Sequence, residues 1–237
     1  EKMSPGFLTK GFRYERKFVA SDATLPEILL KIRTHPIIFR EIYQARRVNN
    51  IYLDTPDLRC YHDNILGRAG RFKSRIRWYG GSTSYPRTTK LEIKIKEGFL
   101  GRKESTKLDF RDPHRFALDE IEEALQRSRK KKVIAEHYTN GLKPNVGNSY
   151  LRRYFRSADS RFRLTIDWDI RYTQLTKASP WFSQSMCDNN IIIELKYDAS
   201  HDGEADTVTK YLPYRLVRNS KYINAIDLLY PYSEGIP

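Results

Sequence analysis

The chain has 237 residues, which is long enough for one large domain with a substantial hydrophobic core. Its 43 Lys and Arg residues against 29 Asp and Glu give a formal net charge of +14, which favours an anionic partner: nucleic acid, membrane headgroups or a phosphate-rich small molecule. The two cysteines and five scattered histidines lack the spacing of a disulfide framework or a zinc site. No apolar run approaches the roughly 20 residues that span a bilayer. We therefore expect a single cytoplasmic domain over residues 1–237, with its core at about 11–230 and without a membrane segment.

Alternation of polar and apolar residues predicts eight strands, in chain order at 11–20, 48–54, 70–79, 89–97, 101–108, 148–157, 161–172 and 190–198. Apolar residues at helical spacing predict four helices, at 24–34, 57–66, 113–129 and 221–230. Clusters of Gly, Pro, Asn and Asp predict loops at 80–88, 140–147 and 198–206. This pattern indicates an α+β protein in which a sheet predominates.

Most of the predicted strands carry a charged face. In residues 71–77, RFKSRIR, the alternation places Arg71, Lys73, Arg75 and Arg77 on one side. A half-buried antiparallel sheet with a solvated charged face accounts for any single strand. Eight such strands would also leave two sheet edges exposed, and closure into a barrel removes those edges. Periodicity alone leaves open whether the charged face lies inside or outside such a barrel.

A charged interior requires a ligand. Buried charge without a partner is heavily penalised, so an empty cationic interior would be costly. Lys and Arg around a polyanion would offset this cost, because its oxygens accept hydrogen bonds from both side chains. A minority of carboxylates there would hold a divalent cation that bridges phosphate oxygens.

Eight blocks follow one another along the chain: RYERKF (13–18), NIYLDTPDLRCYHDN (50–64), KSRIRWYG (73–80), KLEIKIKEG (90–98), YLRRYF (150–155), RFRLTIDWDI (161–170), IIIELKY (191–197) and SKYINAI (220–226). In this order they resemble the polyphosphate-polymerase (VTC-type) domain of the triphosphate tunnel metalloenzyme, or CYTH-like, superfamily. The resemblance implies an antiparallel eight-stranded β-barrel with a charged lumen and with helices packed outside. It also implies transfer of the γ-phosphate of ATP onto polyphosphate, with Mn²⁺ or Mg²⁺ as cofactor.

Matching the blocks carries the family's site residues onto this sequence. The phosphate-binding bases of the family correspond to Lys17, Arg75, Arg77, Lys94, Arg152 and Lys221. Among them, the three arginines are expected to act on the transferred phosphate, and Glu194 corresponds to the family's metal-binding glutamate. Lys103 or Lys107 matches a further lysine of the family. Strand facing alone adds Lys96, Arg163 and Lys196 as phosphate-binding candidates.

One departure from the superfamily bears on the activity. Many tunnel enzymes begin with ExExK, in which two acids help to hold metal, whereas the equivalent positions here are Arg13, Glu15 and Lys17. The exchange of an acid for a base favours phosphate-chain binding with one metal over two-metal hydrolysis. We therefore predict a polyphosphate polymerase whose partners are ATP and polyphosphate or triphosphate.

Three other functions stay open from the sequence. The same residues suit an inorganic or nucleoside triphosphatase, in which water is the acceptor, or a polyphosphate-binding module without turnover. Nucleic-acid binding would suit the charge, but no helix-turn-helix, zinc finger or RNP-like block is present, so we expect no nucleic acid as partner. The run RSRKKK (127–132) is either a solvated helix end or a docking patch for a polyanion.

Overall fold

The computed structural model describes residues 13–81, 88–97, 100–110, 117–175 and 185–231. The strands within these ranges are β1 (Arg13–Ala20), β2 (Arg40–Asp54), β3 (Gly70–Tyr79), β4 (Thr89–Glu97), β5 (Leu100–Leu108), β6 (Lys143–Arg156), β7 (Phe162–Gln174), β8 (Ser185–Asp188), β9 (Ile191–Asp198) and β10 (Arg215–Leu216). The helices are α1 (Leu25–Arg33), α2 (Arg59–Ile65), α3 (Leu118–Lys131), α4 (Val133–Thr139), α5 (Asp202–Thr209) and α6 (Lys221–Leu229), with a 3₁₀ helix at Ala199–His201.

The strands form one sheet. Its hydrogen-bonded order within the described residues is β10-β1-β9-β7-β6-β2-β3-β4-β5, and β8 pairs with β7. The ladders of β1, β3, β4, β5 and β9 with their neighbours are all antiparallel. The predicted α+β class with an antiparallel sheet is confirmed. The described part of the chain has ten strands rather than eight, because the short strands β8 and β10 carry too few residues for a periodic signal.

The chain divides into two compact units. The first comprises residues 1–46, 151–169 and 189–219. Its core lies on the apolar face of β1, β7 and β9, which α1 covers with Ile28 and Ile32 and α5 with Ala205 and Val208. Helix α1 begins at a capping box in which the Thr24 N–H donates to the Glu27 carboxylate at 2.7 Å. The helices therefore pack on the apolar face and leave the charged face of these strands uncovered by them.

The second unit comprises residues 47–150, 170–188 and 220–237. Helix α3 buries Ile121, Ala124 and Leu125 on one side. Helix α4 packs on the apolar side of β3, where the ring of Tyr138 meets that of Phe72 at 5.3 Å between centroids. Helices again lie on the apolar face of the strands, as the resemblance implies. The expectation of a single domain stays a prediction.

Two predicted loops are wrong. Residues 140–147 contain the start of β6 at Lys143, and residues 198–206 contain the 3₁₀ helix and the start of α5. Turn-forming residues dominate both segments, and tertiary pairing overrides their local preference. The predicted loop at 80–88 and the first residues of the predicted helix at 113–129 lie largely outside the described residues. No helix in the described ranges is long and apolar enough to cross a membrane.

The basic run at 127–132 is largely engaged within its own unit. Arg127 pairs with Glu120 at 3.0 Å, and Lys131 with Asp109 at 3.3 Å. The Arg129 guanidinium donates to two backbone carbonyls, at residues 139 and 142. These bonds tie the C-terminal turn of α3 to α4 and to the end of β5. These bonds indicate that the run at 127–132 is the end of a helix and not a docking patch for a polyanion.

Candidate phosphate-binding site

Basic side chains lie directly opposite one another on β3, β4 and β5 of the second unit. Two of the cross-strand rows contain only bases: Lys73–Lys94–Lys103 and Arg77–Lys90–Lys107. Like charges directly opposite one another destabilise a sheet, since their Cβ atoms lie about 5 Å apart. The face therefore carries an excess of positive charge that a bound anion would offset.

A single carboxylate lies between these rows. Both Nε and a terminal nitrogen of Arg75 donate to Oε2 of Glu92, at 2.9 and 2.7 Å, and Lys103 Nζ donates to Oε1 at 2.5 Å. Arg77 adds an ion pair at 3.6 Å, and only 6% of Glu92 is exposed. Burial raises the pKa of Glu92, but attraction to the two arginines and the hydrogen bond from Lys103 lower it to about 2. Three cations thus share one ionised carboxylate.

Arg77 is fixed by a second set of bonds. Its Nε donates to Oδ1 of Asn50 at 2.7 Å, and a terminal nitrogen donates to the hydroxyl of Tyr150 at 3.0 Å. Asn50 in turn donates to Oδ1 of Asn148 at 2.7 Å. The ammonium of Lys221 lies 4.6 Å from the centre of the Tyr150 ring. The second unit therefore brings together three of the predicted bases, Arg75, Arg77 and Lys221.

Lys221 occupies the first turn of α6, and the neighbouring contacts hold that turn in place. Ser220 caps the helix, and its hydroxyl accepts a hydrogen bond from Lys73 Nζ at 2.8 Å. The hydroxyl of Tyr222 donates to the buried carboxylate of Asp54. The first turn of α6 thereby connects to both β3 and the end of β2.

In the first unit the charges alternate in sign. Glu194 lies opposite Lys17 of β1 and Thr165 of β7. Its carboxylate is 3.0 Å from Lys196 Nζ, 3.6 Å from Lys17 Nζ and 3.7 Å from Arg152. Burial raises the pKa of Glu194, whereas Lys196, Lys17, a hydrogen bond with Glu15 and Arg152 hold it well below its usual range.

Two further acids complete this cluster. Arg152 binds Asp167 through two nitrogens, at 2.5 and 2.6 Å, and Asp167 is 1% exposed. Lys17 lies 2.9 Å from Oε1 of Glu15 and donates to the carbonyl of Asn219 at 2.9 Å. The cations of this cluster are thus matched by carboxylates, unlike those on β3 to β5.

The VTC domain family model matches residues 12–230. The chain belongs to the VTC domain family. Solved structures that share its fold include two that are described as a "putative adenylate cyclase". The one from Vibrio parahaemolyticus has a TM-score of 0.52 at 12% identity, covering 90% of this chain and 98% of its own. The one from Bacillus halodurans has a TM-score of 0.50 at 14% identity, covering 91% of this chain and 96% of its own. Comparison with curated proteins finds no match.

The bases predicted for this VTC domain fall into both units. The first unit brings Lys17, Arg152, Lys196 and Glu194 together, and Arg163 lies on the same face, opposite Lys196, with an exposed side chain. In the second unit Lys94 lies beside Lys73 and Lys103, and Lys96 lies opposite Arg71. Of the two alternative lysines, Lys103 contacts Glu92, whereas Lys107 lies 4.0 Å from Asp109.

Glu92 and Asp167 were not predicted as part of the site. Their positions on the charged face follow from the alternation, but the arginines that they bind do not. The partners depend on the register between neighbouring strands, which one sequence does not reveal. The sequence contains one indication of these pairs. An arginine and a carboxylate occur on the charged faces of two predicted strands that follow each other in the chain, as Arg75 with Glu92 and Arg152 with Asp167.

The donor set of the VTC domain fits a divalent cation that also binds substrate. No group of three or more His, Cys, Asp or Glu suited to a metal occurs among the described residues. Lys17 Nζ lies 2.9 Å from Oε1 of Glu15 and 3.6 Å from Oε1 of Glu194, so the two carboxylates lie close to the same ammonium. Mg²⁺ is usually bound through one or two carboxylates together with substrate phosphates. This pair can supply the protein's share of such a site.

Proposed function

We propose that this VTC domain is a metal-dependent polyphosphate polymerase, which transfers the γ-phosphoryl group of ATP onto a polyphosphate chain. The observation that carries the proposal is the face of β3, β4 and β5, where two rows of bases flank the Arg75–Glu92 row. A sheet bears opposed like charges at a cost, and an extended polyanion lying across the rows removes that cost. A single phosphate would meet too few of these bases to do so.

Each arginine has a distinct part in this proposal. Arg75 already holds an anion through two N–H donors that converge on one carboxylate oxygen, and the same guanidinium donors suit phosphate oxygens. Arg77 is oriented by Asn50 and Tyr150 before any substrate binds. Donors that are positioned in advance stabilise charge in a transition state without a reorganisation cost. Lys221, Lys94 and Lys96 then bind the flanking phosphates.

In the first unit, Lys17, Lys196, Arg152 and Arg163 are the phosphate-binding bases. Glu194, with Glu15 beside it, would hold Mn²⁺ or Mg²⁺, and the ion would supply further neutralisation of the phosphate oxygens. Phosphoryl transfer requires mainly in-line positioning and charge stabilisation and needs no covalent nucleophile from the protein. The residue types in both units suit this chemistry.

The test is incubation with ATP and Mn²⁺, followed by a gel that resolves long-chain polyphosphate. We expect Arg75→Ala to lower kcat about 10²-fold or more, as the loss of one positioned donor does elsewhere. Arg71→Ala is the matched control, because Arg71 lies on the same face of β3 but bonds to backbone carbonyls of Gly67 and Arg68. Full polyphosphate synthesis by Arg75→Ala would refute the assignment.

Hydrolysis is the second candidate. It is favoured by Glu15 and Glu194, which lie near the same Lys17 ammonium, since two neighbouring carboxylates also suit a metal that activates water. The same incubation separates the two, because a triphosphatase releases free phosphate and forms no chain. A binding module without turnover would instead bind tripolyphosphate tightly, consume no ATP and be unaffected by Glu194→Ala.

A further inference from the structure

Tyr43, Arg46 and Tyr154 form an aromatic cluster on the first unit. The guanidinium carbon of Arg46 lies 4.6 Å from the ring centre of Tyr154 and 5.2 Å from that of Tyr43. The two rings are perpendicular, with centroids 5.7 Å apart. More than half of Tyr43 is exposed, at 56%. An aromatic face and a planar cation are thus presented to solvent together.

The cluster borders an open cavity of about 600 Å³, which is lined by Glu41, Ile42, Tyr43, Gln44, Ala45 and Arg153. The cavity is shallow and open to solvent, so it suits a ligand that lies flat against its wall. The wall has unused hydrogen-bonding capacity. Arg153 Nε lies 3.5 Å from Oε1 of Glu41, and about a third of the Glu41 side chain is exposed, so its carboxylate can accept further hydrogen bonds. A ligand with both a flat face and polar edges would match this cavity.

The cluster also adjoins the phosphate-binding residues of the same unit. The guanidinium carbon of Arg152 lies 5.9 Å from the ring centre of Tyr154. The same guanidinium binds Asp167 and lies 3.7 Å from Glu194. The Tyr154 ring in turn contacts that of Tyr43, which lines the cavity. A molecule with phosphates at Arg152 and a flat group at Tyr43 would therefore use both sites at once.

We propose that this cavity binds the purine base of the nucleoside triphosphate substrate, with Tyr43 as the stacking surface. The inference rests on the proposed function, because it assumes that a nucleoside triphosphate binds to the chain. Every base has a π face that stacks on Tyr and on Arg, and an adenine edge needs both donors and acceptors. The partly exposed carboxylate of Glu41 accepts from the exocyclic amine.

The experiment compares ATP with tripolyphosphate, which has the phosphates but lacks the base. Dissociation constants are measured by titration calorimetry on wild type, Tyr43→Ala and Tyr43→Trp. For Tyr43→Ala we expect about tenfold weaker binding of ATP, the usual effect of removing one stacked ring, and unchanged binding of tripolyphosphate. Tyr43→Trp should retain ATP affinity. Because Tyr43 is largely exposed, its truncation removes little packing, and a thermal melt checks the fold of each variant.

Tyr211→Ala is the matched control. Tyr211 is also exposed, at 44%, and Lys210 Nζ lies 5.1 Å from its ring, but it does not line the cavity. ATP binding by Tyr43→Ala equal to that of wild type would overturn the inference and leave the proposed function standing. Equal weakening of both ligands would overturn it too, since the change would then act on the phosphates. Binding of neither ligand to wild type would overturn the proposed function and this inference with it.

Discussion

Glu92 is the residue on which the geometry of the basic face of β3, β4 and β5 depends most. It accepts hydrogen bonds from Arg75 and Lys103, forms an ion pair with Arg77 at 3.6 Å, and is buried. Its role resembles that of a counter-ion that keeps three bases in one place until a phosphate arrives. The arginines are therefore held by the protein's own acid in the geometry in which they would hold substrate.

The low pKa of Glu92 predicts how stability changes with pH. Its folded pKa of about 2 lies below the value of about 4.3 expected for an unfolded chain. The ionised carboxylate therefore contributes stability above about pH 4.5, and this contribution is lost as the pH falls towards 2. We expect the free energy of unfolding, measured in urea from pH 6 to pH 2.5, to fall less steeply with acidification in Glu92→Gln than in wild type.

At pH 7 the same variant should be destabilised by about 3 kcal/mol, because breaking a buried ion pair leaves uncompensated charge. Glu97→Gln, an exposed acid on the same strand, should change neither the stability nor its pH slope. Identical pH profiles for Glu92→Gln and wild type would show that the carboxylate contributes nothing to the fold.

At the scale of elements, helix α6 is positioned by two tyrosine–aspartate hydrogen bonds of different burial. Asp54 lies at the end of β2, where it accepts from the backbone N–H groups of Cys60 and Tyr61 at 2.8 and 3.0 Å and from the hydroxyl of Tyr222. Tyr61 donates to Asp227 at 2.5 Å in an exposed position. The buried bond lies next to Lys221, whereas the exposed one lies about one and a half turns further along the helix.

This difference predicts unequal effects from two identical substitutions. Tyr222→Phe leaves a buried carboxylate short of a donor, which costs about 1–3 kcal/mol. Because Lys221 is adjacent, we also expect a higher KM for ATP. Tyr61→Phe removes a bond that water replaces, and it should change both quantities little. Urea denaturation and initial-rate kinetics on the two variants test the contrast, and an equal loss in both would contradict it.

The elements also show where sequence reasoning succeeds. All eight predicted strands are present in the structure, because alternation of polar and apolar residue types is a strong signal in segments such as β4 and β9. Strand β2 begins at Arg40 rather than at 48, since its first half, REIYQAR, is mostly exposed on both faces and lacks that signal. Helix α5 was missed because Asp202, Gly203 and two threonines give it weak helix propensity. The same holds for the candidate site. Strand alternation and the family's blocks predict its basic residues, whereas their acidic partners are identified only by the register between neighbouring strands in the structure.

At the scale of the whole molecule, the net charge is +14, and the two units differ in how charges of like and opposite sign are paired across their strands. Between β1 and β9 the charged face of the first unit pairs opposite signs, as Lys17 with Glu194, although Arg163 of β7 opposes Lys196. On β3 to β5 bases oppose bases, as Lys94 with Lys73 and Lys103. A surface that sacrifices stability in this way is typical of binding sites, in which function and stability conflict.

Lys94→Ala tests this conflict directly. Removing the middle base of a row of three should stabilise the ligand-free domain, by about 0.5 kcal/mol, because it relieves repulsion between neighbouring strands. It should also weaken tripolyphosphate binding, so that the ligand raises the melting temperature less than it does in wild type. Lys143→Ala, which removes an exposed lysine at the start of β6, should do neither. Melting curves with and without tripolyphosphate measure both effects. A variant that is less stable without ligand, yet stabilised by tripolyphosphate as much as wild type, would mean that Lys94 serves the fold and not the anion.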